Sequence, residues 1–241
     1  MVELFLSSLP SLQTLLIAGP IAVLYTTLTA VIVGRLRVVR GVRAAYTRKI
    51  FHFSIFTVAT LFHLAWRLPG VTVLGIVTTA IVLYAIRRGD GHPLYEALAR
   101  PTDAPHRTLF IVVPLVTTAL GGVVTNILFA RFAYIGYLVC GWGDAVGEPV
   151  GSRWGRHRYR VPSLSGVRAQ RSVEGSAAVF VVGAVAATVG FTASGRPLGE
   201  AVLVGTVCGL FGAAVEAVSH HGLDNFTTQV AAAFVAEMLL R

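Results

Sequence analysis

The hydrophobic positions of this chain fall into eight long runs separated by short polar segments. The runs cover about residues 12–34, 50–66, 70–86, 108–128, 132–150, 173–193, 198–218 and 224–240. Each is close to the roughly 20 apolar residues that an α-helix needs to cross a bilayer core of about 30 Å. The pattern predicts an all-α fold, a polytopic membrane bundle of about eight transmembrane helices. Seven is the alternative count, because the short runs 50–66 and 70–86 are the weakest.

Composition excludes the soluble, disordered and fibrous classes of protein. Of the 241 residues, 55% are hydrophobic and 13% are charged, which is too apolar for an ordinary soluble domain. The two cysteines, Cys140 and Cys208, lie in apolar runs without a paired spacing, so neither a disulfide framework nor a zinc site is indicated. The segments between the runs are too short for a separate domain, so residues 1–241 are predicted to form a single transmembrane domain.

The positive charges predict how the chain is oriented. Sixteen of the 20 Lys and Arg residues lie in three alternate segments, at 35–49, 87–107 and 153–171. Basic segments accumulate on the cytoplasmic side of a membrane, so these three are predicted to be cytoplasmic and both termini to lie outside. The net charge of +9 also suits a bilayer with anionic lipids. No nucleic-acid-binding module is present, and a nucleic-acid partner is not expected. A homo-oligomer is compatible with this pattern.

Two carboxylates near the cytoplasmic end of the run 132–150 are the first candidates for chemistry. Asp144 and Glu148 are four residues apart, which places them on one face of a helix, where they are able to hold Mg²⁺ against substrate phosphates. The alternative is a structural pairing with arginines of the next segment. Gly143, Gly147 and Gly151 repeat at the same spacing and predict close helix packing.

The segment that follows supplies donors for phosphate groups. Arg153, Arg156 and Arg158 lie directly after the two carboxylates, and guanidinium groups bind phosphate well. Ser172 is predicted to be the N-cap of the next helix, with Glu174 in its first turn. If that helix start has no cap, its amide groups suit a phosphate instead.

Two further clusters are predicted to approach the same face. The first is Arg48, Lys49 and His52, at the start of the second run. The second is Glu216 with Asp224 and Asn225, which offers another set of oxygen ligands to a metal or a nucleotide. The alternative for Asp224 is a cap of the last helix.

In this order, the clusters resemble the CTP-dependent lipid kinase family, which includes dolichol kinase, phytol and farnesol kinases and the CTP-using diacylglycerol kinase. The similarity runs from about Arg48 to Gln229 and is close to the phytol kinase branch. The positions that match the family pattern are Arg48, Lys49, His52, Gly143, Asp144, Glu148, Gly151, Gly155, Ser172, Gly175, Glu216, Asp224 and Asn225. The chain departs from the pattern at Ala145, Arg171 and Gln229, although Arg171 keeps the charge of the family's lysine.

The resemblance implies transfer of the γ-phosphoryl group of CTP, or of another nucleoside triphosphate, to the hydroxyl of a lipid alcohol such as phytol, farnesol, a polyprenol, dolichol or diacylglycerol. Mg²⁺ is the expected cofactor. Its candidate ligands are Asp144, Glu148, Glu216 and Asp224. The candidate nucleotide-binding residues are Arg48, Gly143, Gly151, Arg153, Gly155, Arg156, Arg158, Arg171, Ser172, Gly175 and Asn225. Asp144 and His52 are the candidates to accept the lipid proton, and Lys49 joins them as a catalytic candidate.

Two other functions remain open on the sequence. A lipid cytidylyltransferase needs the same metal and nucleotide at the same membrane boundary, and differs only in releasing pyrophosphate. A transporter or a non-catalytic membrane scaffold is the more distant alternative. A P-loop kinase is excluded, because the chain lacks the Gly-x-x-x-x-Gly-Lys-Ser/Thr motif.

Overall fold

The computed structural model of the protein describes residues 8–163 and 169–241, and this part of the chain is mostly helical. The helices are α1 (Leu12–Val38), α2 (Ala44–Arg88), α3 (Pro93–Leu98), α4 (Leu109–Phe129), α5 (Ala133–Leu138), α6 (Asp144–Trp154), α7 (Val173–Ala193), α8 (Leu198–Val218) and α9 (Asp224–Leu240). A π-helical segment, Val139–Gly143, joins α5 to α6. Two short strands, β1 (Arg158–Val161) and β2 (Ala169–Ser172), pair antiparallel between α6 and α7.

The predicted all-α membrane fold is confirmed. Among the described residues, the helices α1, α2, α4, α7 and α8 are long and apolar enough to cross a membrane. Large apolar side chains on these helices are exposed, among them Leu24 at 71% and Leu203 at 68%. Exposed leucine side chains suit contact with lipid tails rather than water. The protein is therefore an integral membrane protein.

The boundaries differ from the prediction at three runs. The runs 50–66 and 70–86 both lie within α2, which has a non-helical conformation at Arg67 (φ 54°, ψ −149°). The run 132–150 is divided into α5, the π-helical segment and α6. Short apolar runs are ambiguous from sequence, because hydrophobicity marks burial but not where the backbone bends.

The helices group into two compact units, the first ending at Val112 and the second being Val113–Arg241. In the first unit, α2 must reverse direction. Thr47, near its start, donates a hydrogen bond from Oγ1 to the carbonyl of Ala97 (2.7 Å). A straight helix would separate residues 47 and 88 by about 60 Å at 1.5 Å per residue, and nine further residues span at most about 32 Å. The bend at Arg67 therefore sends the second half back beside the first.

The segment after α2 is held by an ion-pair network in the same unit. Arg107 donates to Asp90 (2.8 Å) and to Glu96 (2.8 Å), and the Gly91 N–H donates to the Glu96 carboxylate (3.1 Å). Burial alone would raise the pKa of the Glu96 carboxyl, but the hydrogen bonds from Gly91 and Arg107 and the Arg107 charge hold that pKa below its usual value. This network holds the segment 90–107 together, and Arg37 Nε of α1 donates to the Glu96 carbonyl (3.2 Å).

In the second unit, small residues let the helices approach closely. A Cβ atom on Gly209 of α8 would lie 2.7 Å from Cα of Ala184, and one on Gly205 would lie 2.8 Å from the Thr188 backbone nitrogen. The apolar cluster that α5, α7, α8 and α9 share includes Ile135 and Phe191, both fully buried. Glycine and alanine at helix contacts are typical of membrane bundles.

Candidate active site

Three carboxylates from separate elements of the second unit meet at one point. Carboxylate oxygens of Asp144, Glu216 and Asp224 all lie within 4.8 Å of one another. Asp144 and Glu216 are buried, at 6% and 5% exposure, and Asp224 is half-buried. Ionised carboxylates brought this close repel one another and favour a cation between them. This three-carboxylate group is the candidate active site.

Each member of the group stands at the end of a helix. Asp144 is the first residue of α6 and follows the π-helical segment directly. Glu216 lies in the last turn of α8, and Asp224 begins α9 after a short connection. In that connection Gly222 has φ +95°, and its carbonyl accepts a hydrogen bond from Thr117 Oγ1 of α4 (2.8 Å). π-Helical turns are frequent at functional sites, and here one sets the position from which Asp144 projects.

The oxygen set fits Mg²⁺. Magnesium prefers oxygen ligands at about 2.0–2.1 Å in octahedral geometry, which separates ligand oxygens by about 3–4.2 Å. Oxygens already within 4.8 Å need only small side-chain movements to reach those separations. Asp144, Glu216 and Asp224 are therefore the residues that would hold the ion. Glu148, the fourth predicted ligand, lies one turn further along α6 and is half-buried.

Arg171 of β2 lies against two of the carboxylates. Its Nε contacts Glu216 Oε1 at 2.9 Å, and its Nη2 contacts Asp224 Oδ2 at 2.8 Å. Its Nη1 donates to the backbone carbonyls of Glu216 and Ser219, the second at 3.1 Å. The sequence predicted a nucleotide-binding role for Arg171, whereas in the structure its guanidinium is engaged with protein oxygens.

Ser172 caps α7, as predicted. Its Oγ accepts a hydrogen bond from the Gly175 N–H (3.0 Å), and the residue is 3% exposed. The alternative, an uncapped helix start that binds phosphate, is not what the structure has at this position.

The glycines predicted to bind nucleotide form a close contact between α6 and α7. A Cβ atom on Gly175 would lie 2.8 Å from the Gly147 carbonyl oxygen, and one on Gly151 would lie 3.0 Å from Ser172 Oγ. Cβ atoms on Gly143 and Gly155 would likewise press on Val179 and on Ser172. The predicted packing role of the glycines that repeat along this helix thus has a direct structural basis, and α6 is held tightly against the capped start of α7.

The predicted phosphate donors are exposed. Arg153, Arg156 and Arg158 all have exposed side chains, and Arg153 also lies over the Trp154 ring, 5.0 Å from its centre. The strand that carries Arg158 is tied to α7, because His157 Nδ1 pairs with Glu174 Oε1 at 2.8 Å. The three arginines are available to a soluble anion at this end of α6.

Asn225 lies against α4, and its predicted nucleotide-binding role stays a prediction. Its Nδ2 donates to Thr118 Oγ1 of α4 (2.8 Å), and it is 5% exposed. The side-chain amide therefore ties the start of α9 to α4, directly beside Asp224.

The other predicted cluster lies in the first unit, in the first turns of α2, and consists of Arg48, Lys49 and His52. Lys49 is buried, and the centre of the His52 ring lies 4.5 Å from that of Phe56. Their catalytic and nucleotide-binding roles stay predictions.

Sequence reasoning missed two buried amide side chains within the helices of this unit, Asn126 and Gln229. Asn126 donates from Nδ2 to the Tyr137 hydroxyl and to the Gly122 carbonyl, the latter at 2.8 Å. Gln229 donates to the carbonyl of Asn225. The Asn126 contact with Tyr137 connects α4 to α5, and Gln229 Nε2 also lies 3.5 Å from the Thr118 carbonyl oxygen of α4. The signal was present, since amide side chains inside apolar runs are costly unless they are bonded.

The chain is similar to a curated enzyme. The curated phytol kinase of Synechocystis sp. is 32% identical over 203 residues, which are 80% of this chain and 78% of that protein. No family model matches the chain. No solved structure matches it significantly.

Proposed function

Because this chain belongs to the CTP-dependent lipid kinase family, in its phytol kinase branch, we propose that it transfers the γ-phosphoryl group of CTP to the hydroxyl of an isoprenoid alcohol. The coarser assignment, a membrane kinase that acts on a lipid alcohol, follows from the family relationship itself. The donor and the isoprenoid acceptor are the proposed part. We further propose that the site faces the cytoplasm, as the distribution of basic residues predicts.

The observation that carries the proposal is the three-carboxylate group. Asp144, Glu216 and Asp224 place oxygens within 4.8 Å of one another at helix ends, and Glu216 ends the apolar helix α8, where we propose that a water-soluble and a lipid substrate meet. A bound Mg²⁺ would neutralise charge on the phosphate oxygens and orient the transferred group. The protein's own task is then mostly positioning, because phosphoryl transfer asks for little covalent chemistry from side chains.

The remaining roles follow from charge and exposure. Arg153, Arg156 and Arg158 are proposed to bind the polyphosphate, since they are exposed cations on the segment that follows Asp144. During transfer the lipid hydroxyl loses its proton and its oxygen bonds to the γ-phosphorus, and CDP leaves. Asp144 and His52 remain the candidates to accept that proton.

A labelled-transfer assay tests the function directly. Purified protein is incubated with Mg²⁺, γ-labelled CTP, UTP, ATP or GTP, and a panel of phytol, farnesol, a polyprenol and diacylglycerol. We expect label in an isoprenoid alcohol, with CTP as the best donor and CDP as the other product. Thin-layer separation of the lipids identifies donor and acceptor in one experiment.

Two results contradict the proposal, one from this assay with lipid phosphates added and one from a separate measurement of nucleotide binding. Labelled pyrophosphate together with a CDP-lipid, when lipid phosphates are supplied, identifies a cytidylyltransferase. Absence of nucleotide binding by the folded protein removes both enzyme functions and favours a transporter or scaffold.

Replacing the exposed arginines by glutamine is expected to weaken nucleotide binding. Hydrogen bonds to charged groups contribute about 1.5–3 kcal/mol. Loss of one such contact should therefore raise the KM for CTP by about tenfold or more. The triple replacement of Arg153, Arg156 and Arg158 should raise that KM further. The KM for the lipid should change little. Arg131→Gln, an exposed arginine at the start of α5, is the control, and an equal effect there argues against specific phosphate contacts.

A further inference from the structure

Arg171 contacts two carboxylates and two backbone carbonyls at the candidate site. Its guanidinium reaches the side chains of Glu216 and Asp224 at 2.9 and 2.8 Å, and its Nη1 donates to the backbone carbonyls of Glu216 and Ser219. Only 11% of the side chain is exposed. One group thus fixes the end of α8 and the start of α9 at the same time.

We propose that Arg171 is a positioning residue, which sets the separation of two metal-binding carboxylates before the metal arrives. This inference rests on the proposed function, in which Glu216 and Asp224 hold Mg²⁺. Glu216 and Asp224 lie on different helices, so the distance between their carboxylates is not fixed by helix geometry. A planar guanidinium that contacts both, each within 3 Å, defines that spacing rigidly.

The backbone contacts of Arg171 strengthen this role. The last carbonyls of a helix lack partners within the helix and carry partial negative charge. The guanidinium donates to two carbonyls at this end of α8, those of Glu216 and the C-cap residue Ser219, beside the carboxylate of Glu216 itself. The end of α8 is therefore held in place together with the ligand that it carries.

The backbone of Arg171 is fixed by the neighbouring strand β1 and by the cap of α7 that follows it. It pairs with Tyr159 across the two strands, and the Tyr159 hydroxyl shares a hydrogen bond with Ser176 Oγ of α7 (2.8 Å). The next residue, Ser172, is the buried cap of α7. A backbone anchored in this way fixes the point from which the guanidinium reaches the carboxylates, as a positioning group requires.

The experiment compares metal binding with catalysis in two variants. Arg171→Lys keeps the charge but loses the planar fork that contacts both carboxylates. Arg171→Gln loses the charge as well. Mn²⁺ binding to the detergent-solubilised protein, without nucleotide, is measured by electron paramagnetic resonance, and the KM values for Mg²⁺ and CTP are measured in the transfer assay.

We expect Mn²⁺ to bind about 10–100-fold more weakly to both variants, the range found when groups that orient metal ligands are lost. Removing a positive charge would by itself strengthen cation binding, so weaker binding in the glutamine variant reports lost geometry. Arg160→Gln is the matched control, because Arg160 is an exposed arginine on the adjacent strand β1. It should bind Mn²⁺ as the unmodified protein does.

Unchanged Mn²⁺ affinity with a raised KM for CTP would overturn the positioning role, and would make Arg171 a phosphate ligand while the proposed kinase function stands. If the glutamine variant does not fold, the lysine variant decides, since it keeps the charge. An unmodified protein that binds no Mn²⁺ overturns the proposed metal site and this inference together. Mn²⁺ binding without lipid phosphorylation overturns only the kinase proposal.

Discussion

Asp144→Asn is expected to abolish phosphoryl transfer while the protein still folds and inserts. The amide has the shape of the carboxylate but no charge, so it removes one of the three carboxylates that are proposed to hold Mg²⁺. Preorganised charge at a reacting centre contributes about 10²–10³-fold for a single donor, and loss of a metal ligand should cost at least about 1,000-fold in kcat. Label transfer to lipid measures the activity, and thermal unfolding in detergent measures the fold.

The folded state should tolerate this change, because a neutral amide costs less to bury than a carboxylate whose neighbours are acidic. Glu200→Gln is the matched control. Glu200 lies in the first turn of α8, where it pairs with Arg196 at 2.9 Å, and Glu216 lies in the last turn of that helix. Near-normal turnover by Asp144→Asn, or equal losses in both variants, would contradict the role assigned to Asp144.

Gly209→Ala is expected to destabilise the protein, although alanine is the better helix former. The added Cβ would lie 2.7 Å from the Ala184 Cα and closer still to its backbone nitrogen. Neither atom is at the end of a flexible side chain, so α7 and α8 must move apart. Forcing extra volume into a packed contact costs about 1–3 kcal/mol. We expect a lower Tm in detergent and a loss of activity, because Glu216 lies two turns further along α8.

Gly199→Ala is the control on the same helix. A Cβ there has nothing within 4 Å, and replacing a helical glycine by alanine gains up to about 1 kcal/mol. The two identical substitutions should therefore change Tm in opposite directions. The same direction of change in both would show that α7 and α8 do not rely on the close approach at Gly209.

The fold could be predicted from sequence because the length and hydropathy of an apolar run identify a membrane helix. The runs 12–34, 173–193 and 198–218 correspond closely to α1, α7 and α8. The strands β1 and β2 were not predicted, because an arginine-rich segment lacks the apolar alternation that identifies a strand. The π-helical segment was also missed, since it depends on backbone geometry around small residues such as Gly141 and not on a hydrophobic period.

The candidate site was predicted in part. Helical spacing singled out Asp144 with Glu148, which are neighbours in sequence, and offered Glu216 and Asp224 as a second set. The structure instead groups Asp144 with Glu216 and Asp224, a grouping that depends on how α6, α8 and α9 pack. Tertiary packing also decides that Arg171 contacts carboxylates. The charge of Arg171 and its position directly before the cap residue Ser172 could be read from the sequence, but the side chains that it contacts could not.

The bend at Arg67 bears on how the chain enters the bilayer during synthesis. The chain reverses there without any intervening loop, so neither half of α2 is able to cross the membrane while the other stays in water. We therefore expect the two halves to insert together, as one helical hairpin.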